Sequence, residues 1–192
     1  MGIRKLFRTR SPDAGSDGSS KVATGLAGCN QHSASPRQPK EAVIAAGEIG
    51  SRLPNFSVKD LQGHEISSVD LRGKVVLIDF WATWCQPCKQ EMQEMQEMPG
   101  YQKLVDCYGP RGFVVVGFKF DTMMDMEDPA LFAKKIGVRY PLVVAPEDLK
   151  QKFGGIEGLP TTMLYDCQGI LRKKVIGFEY TNVVESEVKP LL

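Results

Sequence analysis

Histidine and long apolar runs are both scarce in this sequence, and each shortage excludes a class of protein. Only two of the 192 residues are His, so a metal site built on several histidines is excluded. The longest apolar stretch, Val75 to Ala82, is short and carries Asp79. A membrane-spanning helix needs about 18 apolar residues, so no transmembrane span is predicted.

A strong charge imbalance is also absent. The net charge of +1 gives no electrostatic reason to expect nucleic acid or an acidic lipid surface as a partner. Five cysteines are too few for a small scaffold held together by disulfides, and the odd number leaves at least one thiol unpaired. With 42% apolar and 24% charged residues, the composition is typical of a soluble globular protein.

The first part of the chain differs in composition from the rest. Residues 1–49 are predicted to be disordered or to serve as a tether, because they are rich in Ser, Gly, Pro and Arg and cannot bury enough apolar surface to offset their ordering entropy. Leu26 to Cys29 is similar to the lipid-attachment box of a bacterial lipoprotein, but the apolar stretch before it is too short for a signal segment. A lipid anchor at Cys29 and a small-residue linker with an incidental cysteine both stay open.

Residues 50–192 alternate between strand-like and helix-like patterns and are predicted to form one α/β domain. The predicted elements are a hairpin around Gln62–Gly63, buried strands over 74–82 and 113–120, helices over 86–108 and 129–136, strands over 161–165 and 171–178, and a closing helix over 181–191. This order predicts a central mixed β-sheet flanked by helices on both faces.

Two cysteines stand three positions apart where a buried strand ends and a helix begins. At a helix start, unpaired backbone N–H groups and the positive end of the helix dipole stabilise the thiolate of the first cysteine, Cys85. Cys88 lies one turn further on, close enough to attack a mixed disulfide formed at Cys85. Pro87 lacks a donor that would go unused at a helix start. The spacing therefore points to thiol–disulfide exchange.

The segment from Asp79 to Lys89 resembles the thioredoxin superfamily, and within it the extracytoplasmic thiol–disulfide oxidoreductases of the TlpA and ResA kind. Gly158 to Thr161 is similar to the cis-proline loop of that family, and the resemblance covers residues 50–192. The resemblance implies a thioredoxin fold with an N-terminal β-hairpin extension and no cofactor. It also implies a location outside the cytoplasm. Because the signal segment is not convincing, a cytoplasmic location stays open.

The same resemblance implies which residues bind substrate. Trp84, Gln86 and Pro87 would lie at the rim of the substrate groove beside the cysteines. If the bond before Pro160 is cis, Leu159 would present its backbone to an extended strand of a protein substrate.

Other uses of a cysteine pair fit this sequence less well. A structural zinc site needs a second pair or two suitably spaced histidines, whereas His32 and His64 both lie upstream. A copper-delivery module of this fold needs a wider cysteine spacing and a downstream His. A peroxiredoxin needs Thr three residues and Pro seven residues before its reactive cysteine, where this chain has Ala82 and Ile78.

Two acidic residues are candidates for proton transfer. Asp79 lies on the central strand six residues before Cys85, and in thioredoxins the matching aspartate is the base for the second cysteine. An Asp inside an apolar run is costly unless it has a purpose. The family also has a glutamate on the following helix, where a Glu-Met repeat offers Glu91 or Glu97. At about 100° per residue, Glu91 shares a face with Cys88 and Glu97 does not, so Glu91 is the candidate.

The sequence therefore predicts a monomeric thiol–disulfide oxidoreductase that exchanges disulfides with protein substrates, more as a reductase, and receives electrons from an upstream dithiol donor. Cys85, Cys88, Asp79 and Glu91 would be catalytic. The alternative is a binding or scaffold module that keeps the fold without catalysis.

Overall fold

The computed structural model describes residues 44–92, 100–120 and 127–192. Most of the predicted tether, Cys29 with it, therefore lies outside the described residues, and so does Glu97. In chain order the elements are β1 Ser57–Lys59, β2 Glu65–Ser67, β3 Val75–Trp81, α1 Gln86–Met92, α2 Gly100–Tyr108, β4 Phe113–Lys119, α3 Pro129–Ile136, β5 Leu142–Val144, α4 Glu147–Lys152, β6 Thr161–Tyr165, β7 Leu171–Ile176 and α5 Thr181–Val188.

The main sheet has five strands in the order β5-β4-β3-β6-β7. The strands β5, β4 and β3 are parallel, whereas β6 runs antiparallel to β3 and β7 antiparallel to β6. Strands β1 and β2 form a separate antiparallel hairpin. The predicted mixed sheet with helices on both faces and an N-terminal hairpin is confirmed.

Strand β3 lies at the centre of the sheet, and all of its residues are buried. This agrees with its nearly continuous β-branched and aromatic sequence, which is typical of a strand covered on both sides. The first covered side, called here the cysteine face, includes Leu77 and Trp81 of β3 and packs against α1, α2, α3 and α5. The second, called the phenylalanine face, includes Ile78 and Phe80 and packs against the hairpin and α4.

Two short elements escaped prediction. Strand β5 has three residues and α4 has six, which is too short for a periodic apolar pattern. Each follows a proline, Pro141 and Pro146, which marks a chain break in the sequence rather than the start of an element. The predicted helix over 86–108 is described as α1 and α2, with residues 93–99 between them outside the description.

Lys119 departs from the usual pattern for its residue type. Lysine side chains are almost always exposed, but Lys119 is only 2% exposed. Lys119 ends β4 in register with Trp81 of β3 and Val144 of β5, so strands on both sides enclose it.

The outer strand β7 is partly covered by the segment that precedes the hairpin. The N–H of Gly50 donates to the carbonyl of Leu171 (2.8 Å) and the N–H of Leu171 donates to the carbonyl of Ser51 (2.8 Å). The N–H of Leu53 donates to the carbonyl of Gly169 (2.7 Å). Residues 50–53 therefore pair with residues 169–171, where the outer strand begins.

Candidate active site

The two cysteines form a disulfide at the start of α1. Their Sγ atoms are 2.00 Å apart and their Cα atoms 5.3 Å apart. The backbone N–H of Cys88 also donates to Sγ of Cys85, with an N···S distance of 3.2 Å. This donor favours negative charge on Cys85. Cys85 is 4% exposed and Cys88 1%, so Cys85 is the outer sulfur and Cys88 the inner one.

The residues around the cysteines form an exposed rim. Trp84 is 41% exposed, and Gln86 and Pro87 are exposed as well. The Leu159–Pro160 peptide bond is cis. Because Thr161 begins β6 opposite Phe80, this peptide lies at the edge of the sheet where β3 ends and the cysteine loop begins.

Asp79 and Glu91 are both buried on the cysteine face, each 1% exposed. Burial raises the pKa of Asp79 to about 7. The pKa of Glu91 is raised to about 9, first by burial and then by the nearby negative charge of Asp79. Oδ1 of Asp79 and Oε2 of Glu91 have no hydrogen-bond partner among the described residues. The structure thus brings together the two acidic residues singled out in the sequence.

Two buried tyrosines complete this polar group, and the sequence did not single them out as functional. The hydroxyl of Tyr101 lies 3.2 Å from Oγ1 of Thr162, which is in register with Asp79. The Tyr140 hydroxyl is buried without a partner among the described residues. Burial, followed by the charges of Glu91 and Asp79, raises the pKa of Tyr101 well above its ordinary value, so this hydroxyl stays a neutral donor. Tyr101 lies three and four residues before Leu104 and Val105 on α2, so its spacing in the sequence indicates core packing rather than proton transfer.

Glu179, in the loop between β7 and α5, also contacts this group. Its backbone N–H donates to Oε1 of Glu91 over 2.9 Å, which lowers the pKa of Glu91 against the effect of burial. Its side chain pairs with Lys173 at 2.9 Å. Nothing in the sequence near Glu179 suggests a link to the cysteine motif.

Metal binding finds no support in the part of the chain that is described. Within those residues, no group of three or more His, Cys, Asp and Glu side chains is arranged to hold an ion. The same residues include no helix long and apolar enough to cross a lipid bilayer.

A redox-active cysteine pair at the start of the helix after a central strand, on a sheet of this order with buried carboxyl groups beneath it, defines a thiol–disulfide oxidoreductase of the thioredoxin fold. Residues 49–174 match the family described as the AhpC/TSA family, and the chain belongs to it.

Curated relatives and a solved structure agree with this assignment. The thiol-disulfide oxidoreductase ResA of Geobacillus thermodenitrificans is 35% identical over 67% of this chain and 70% of its own length. The thioredoxin-like protein YneN of Bacillus subtilis is 32% identical over 67% of this chain and 71% of its own. A thioredoxin-family thiol:disulfide interchange protein of Chlorobium tepidum superposes with a TM-score of 0.66 at 27% identity, over 76% of this chain and 99% of its own.

Proposed function

We propose that the protein reduces disulfides in protein substrates, with Cys85 as the attacking sulfur and Cys88 as the resolving one. The thiolate of Cys85 attacks one substrate sulfur, forms a mixed disulfide and expels the other sulfur as a thiolate. The Cys88 thiol then gives its proton to the carboxyl pair, attacks Cys85 and releases the second substrate thiolate. Two electrons pass to the substrate, and the protein ends with the Cys85–Cys88 disulfide.

The observation that carries these roles is the difference between the two sulfurs. Cys85 is the more exposed and receives the N–H of Cys88, whereas Cys88 lies on the helix face that continues to Glu91. A stabilised thiolate suits the first attack, and a nearby proton acceptor suits the second.

Trapping tests these roles. The Cys88→Ser variant should accumulate a mixed disulfide with a disulfide-containing substrate such as insulin, whereas Cys85→Ser should accumulate none. Cys107, an exposed free thiol on α2, supplies the control. A Cys107→Ser variant should reduce insulin at the wild-type rate with a thiol donor. A wild-type protein that does not accelerate insulin reduction would favour the scaffold alternative.

The reductase direction is supported by the two residues between the cysteines. Gln86 and Pro87 carry neither a positive charge nor an imidazole, so only backbone donors and the helix start favour the thiolate. A weakly stabilised thiolate makes the disulfide a weak oxidant. We expect a reduction potential below about −200 mV, nearer to that of thioredoxin than to that of DsbA. Equilibration with glutathione or dithiothreitol measures it, and a value near −120 mV would make the protein an oxidase.

The exposed rim supports an extended polypeptide as the substrate. Trp84 would pack against the substrate, and the Leu159 backbone beside Pro160 would pair with it. The Trp84→Ala variant should raise KM for a protein disulfide about tenfold, and it should leave the rate with a small disulfide nearly unchanged. Ile49, which is 57% exposed and precedes the hairpin, supplies the control Ile49→Ala. Equal effects on both substrates would argue against a protein-binding rim.

We also infer an extracytoplasmic location, with residues 1–49 as a tether and lipid on Cys29. The support is the resemblance of Leu26 to Cys29 to a lipid-attachment box. Metabolic labelling with a radioactive fatty acid should mark the wild type and leave Cys29→Ser unlabelled. Equal labelling of the two proteins would remove the anchor from the proposal.

The upstream electron donor can be identified separately. A purified membrane or periplasmic dithiol protein that reduces the Cys85–Cys88 disulfide would be that partner.

A further inference from the structure

The buried carboxyl pair needs a way to exchange protons with solvent. In the proposed function, on which this inference rests, the pair takes a proton from Cys88 in one half of the cycle. It must give that proton up before the next turnover. Asp79 and Glu91 are each 1% exposed, so neither reaches bulk water directly.

Glu179 is the acidic residue in contact with both the pair and the surface. Its N–H holds Oε1 of Glu91 at 2.9 Å, which leaves Oε2 of Glu91 to carry a proton. Its own Oε1 is 2.9 Å from Nζ of Lys173, which is 25% exposed. Its Oε2 is buried and, like Oε2 of Glu91, has no hydrogen-bond partner among the described residues. Two unpartnered carboxylate oxygens on residues in direct contact form an incomplete polar connection.

A small cavity lies beside this connection. Its volume is about 10 Å³. Thr162, Lys173, Glu179 and Glu187 form its polar wall, and Leu164, Val175 and Val184 form its apolar wall. A cavity of about this size can hold one water molecule when polar groups surround it. Thr162 also contacts Tyr101 and lies in register with Asp79, so one wall of the cavity is the strand position next to Asp79.

We propose that Glu179 passes protons between the buried Asp79–Glu91 pair and solvent, with one water in the cavity beside Thr162 and Lys173. Glu179 acts on the sulfurs only through Glu91, so it is a positioning residue rather than a catalytic one. The proton leaves Oε2 of Glu91, moves through the water to Oε2 of Glu179, and from there reaches bulk water. No electron moves in this step, and the charge of the pair returns to its starting value.

Several titratable and charged groups interact with Glu179, with Glu91 or with Lys173, and each can affect a pH profile. They are Glu91 of α1, Asp79 of β3, Tyr101 of α2, Tyr140 before β5, Lys173 of β7 and Glu187 of α5. Glu187 offers a matched control. It lines the same cavity and its carboxylate is also near Lys173, at 3.6 Å. Glu187 is 49% exposed, however, whereas Glu179 is 18% exposed and is hydrogen-bonded to Glu91.

The test compares Glu179→Gln with Glu187→Gln in the full-length protein. The reduced protein is mixed with excess hydroxyethyl disulfide at a series of pH values between 5 and 10. A thiol donor is present so that the protein turns over repeatedly. Tryptophan fluorescence measures the rate at which the Cys85–Cys88 disulfide forms. We expect Glu179→Gln to lower the plateau rate about tenfold and to increase the solvent deuterium isotope effect. Glu187→Gln should match the wild type in both.

A second variant distinguishes loss of the carboxylate from loss of the folded structure. Glu179→Ala leaves space for a small acid, and we expect added acetate to restore most of its lost rate. A Glu179→Gln profile that moves to lower pH with an unchanged plateau would overturn the proposal, because Glu179 would then act only by repelling charge on Glu91. Failure of acetate to restore any rate in a folded Glu179→Ala variant would overturn it as well.

A different result would contradict the proposed role of the Asp79–Glu91 pair. If Asp79→Asn and Glu91→Gln both turn over at the wild-type rate, the carboxyl pair is idle, whatever Glu179 does. If either slows turnover while Glu179→Gln does not, the pair keeps its role and only the exchange through Glu179 is wrong.

Discussion

The two faces of β3 differ sharply although they belong to one strand. On the phenylalanine face, Phe80 contacts Phe118, Phe120 and Phe153, with ring centroids 5.6, 5.5 and 5.1 Å away. On the cysteine face, Asp79 sits among the disulfide, Glu91 and two tyrosines. One face is packed with apolar rings, and the other holds buried groups that can change protonation.

This difference shows how a small domain can bear the cost of a buried redox site. Asp79, Glu91 and Tyr140 each bury a polar atom without a partner among the described residues, and each such atom costs free energy of folding. The aromatic packing on the opposite face contributes free energy in the other direction. Removal of an aromatic ring from the phenylalanine face and removal of an unpartnered polar group from the cysteine face should therefore have opposite effects on stability.

The largest effect on stability should come from the phenylalanine face. Phe80 is 0% exposed, and Phe80→Ala should lower the free energy of unfolding by about 4 kcal/mol because it leaves a cavity among three rings. The exchange rate of the folded fraction should stay within about twofold of the wild type. Urea unfolding and insulin reduction measure the two quantities. A large fall in the rate of folded protein would mean that the two faces are not independent.

Asp79→Asn should have the opposite effect on stability. Because burial raises the pKa of Asp79 to about 7, the unfolded chain releases this proton from about pH 4 while the folded protein keeps it. Stability therefore falls as pH rises from about 4 to 7, and the cost is complete at pH 8. A shift of about three pKa units corresponds to at most about 4 kcal/mol. Because the new amide also stays buried without a partner, Asp79→Asn should recover about 2 kcal/mol at pH 8 and little at pH 4. It should slow exchange about tenfold or more.

Urea unfolding at the two pH values checks this expectation, with Asp166→Asn as a control. Asp166 is a buried aspartate on the turn after β6, but its carboxylate accepts hydrogen bonds from Arg172 and from backbone N–H groups. Its replacement should destabilise the protein at pH 8. A less stable Asp79→Asn variant at pH 8 would show that the aspartate is structural.

Tyr101→Phe should have a smaller effect. The variant loses the contact between the Tyr101 hydroxyl and Thr162 and should be about 1 kcal/mol less stable. The same hydroxyl lowers the pKa of Glu91, so that pKa should rise in the variant. The pH profile of disulfide formation would then move to higher pH. An unchanged profile would separate Tyr101 from the carboxyl pair.

Tyr140→Phe should have the smallest effect and the opposite sign. Its buried hydroxyl has no partner among the described residues, so its removal should stabilise the protein by about 0.5 kcal/mol. Thermal unfolding of Tyr101→Phe and Tyr140→Phe side by side makes each variant the control for the other. Equal destabilisation of both would show that Tyr140 is bonded in solution.

Local pattern predicted much of the fold, since long buried strands and a capped helix are visible in the sequence. Asp128, a residue type that favours the position before a helix, caps α3, and its carboxylate accepts hydrogen bonds from the N–H groups of Ala130 and Leu131. The family resemblance implied a glutamate on the helix after the cysteines, and helix geometry favoured Glu91 over Glu97. The structure buries Glu91.

The rest of the polar group depended on contacts between distant segments. Tyr140 and Glu179 lie in loops, where no periodic pattern indicates which way a side chain faces. The burial of Lys119 depends on the strand β5 beside it, which was itself too short to predict.

The pairing of residues 50–53 with the outer strand has a consequence for solubility. An open strand edge invites a second chain to add its own strand, which leads toward aggregation. Here the first part of β7 is already paired, and the strand continues with three cations, Arg172, Lys173 and Lys174. At the opposite edge, β5 is three residues long and offers little backbone for a second chain. Removal of residues 50–53 should therefore promote aggregation of folded molecules and have a smaller effect on thiol–disulfide exchange at the cysteines.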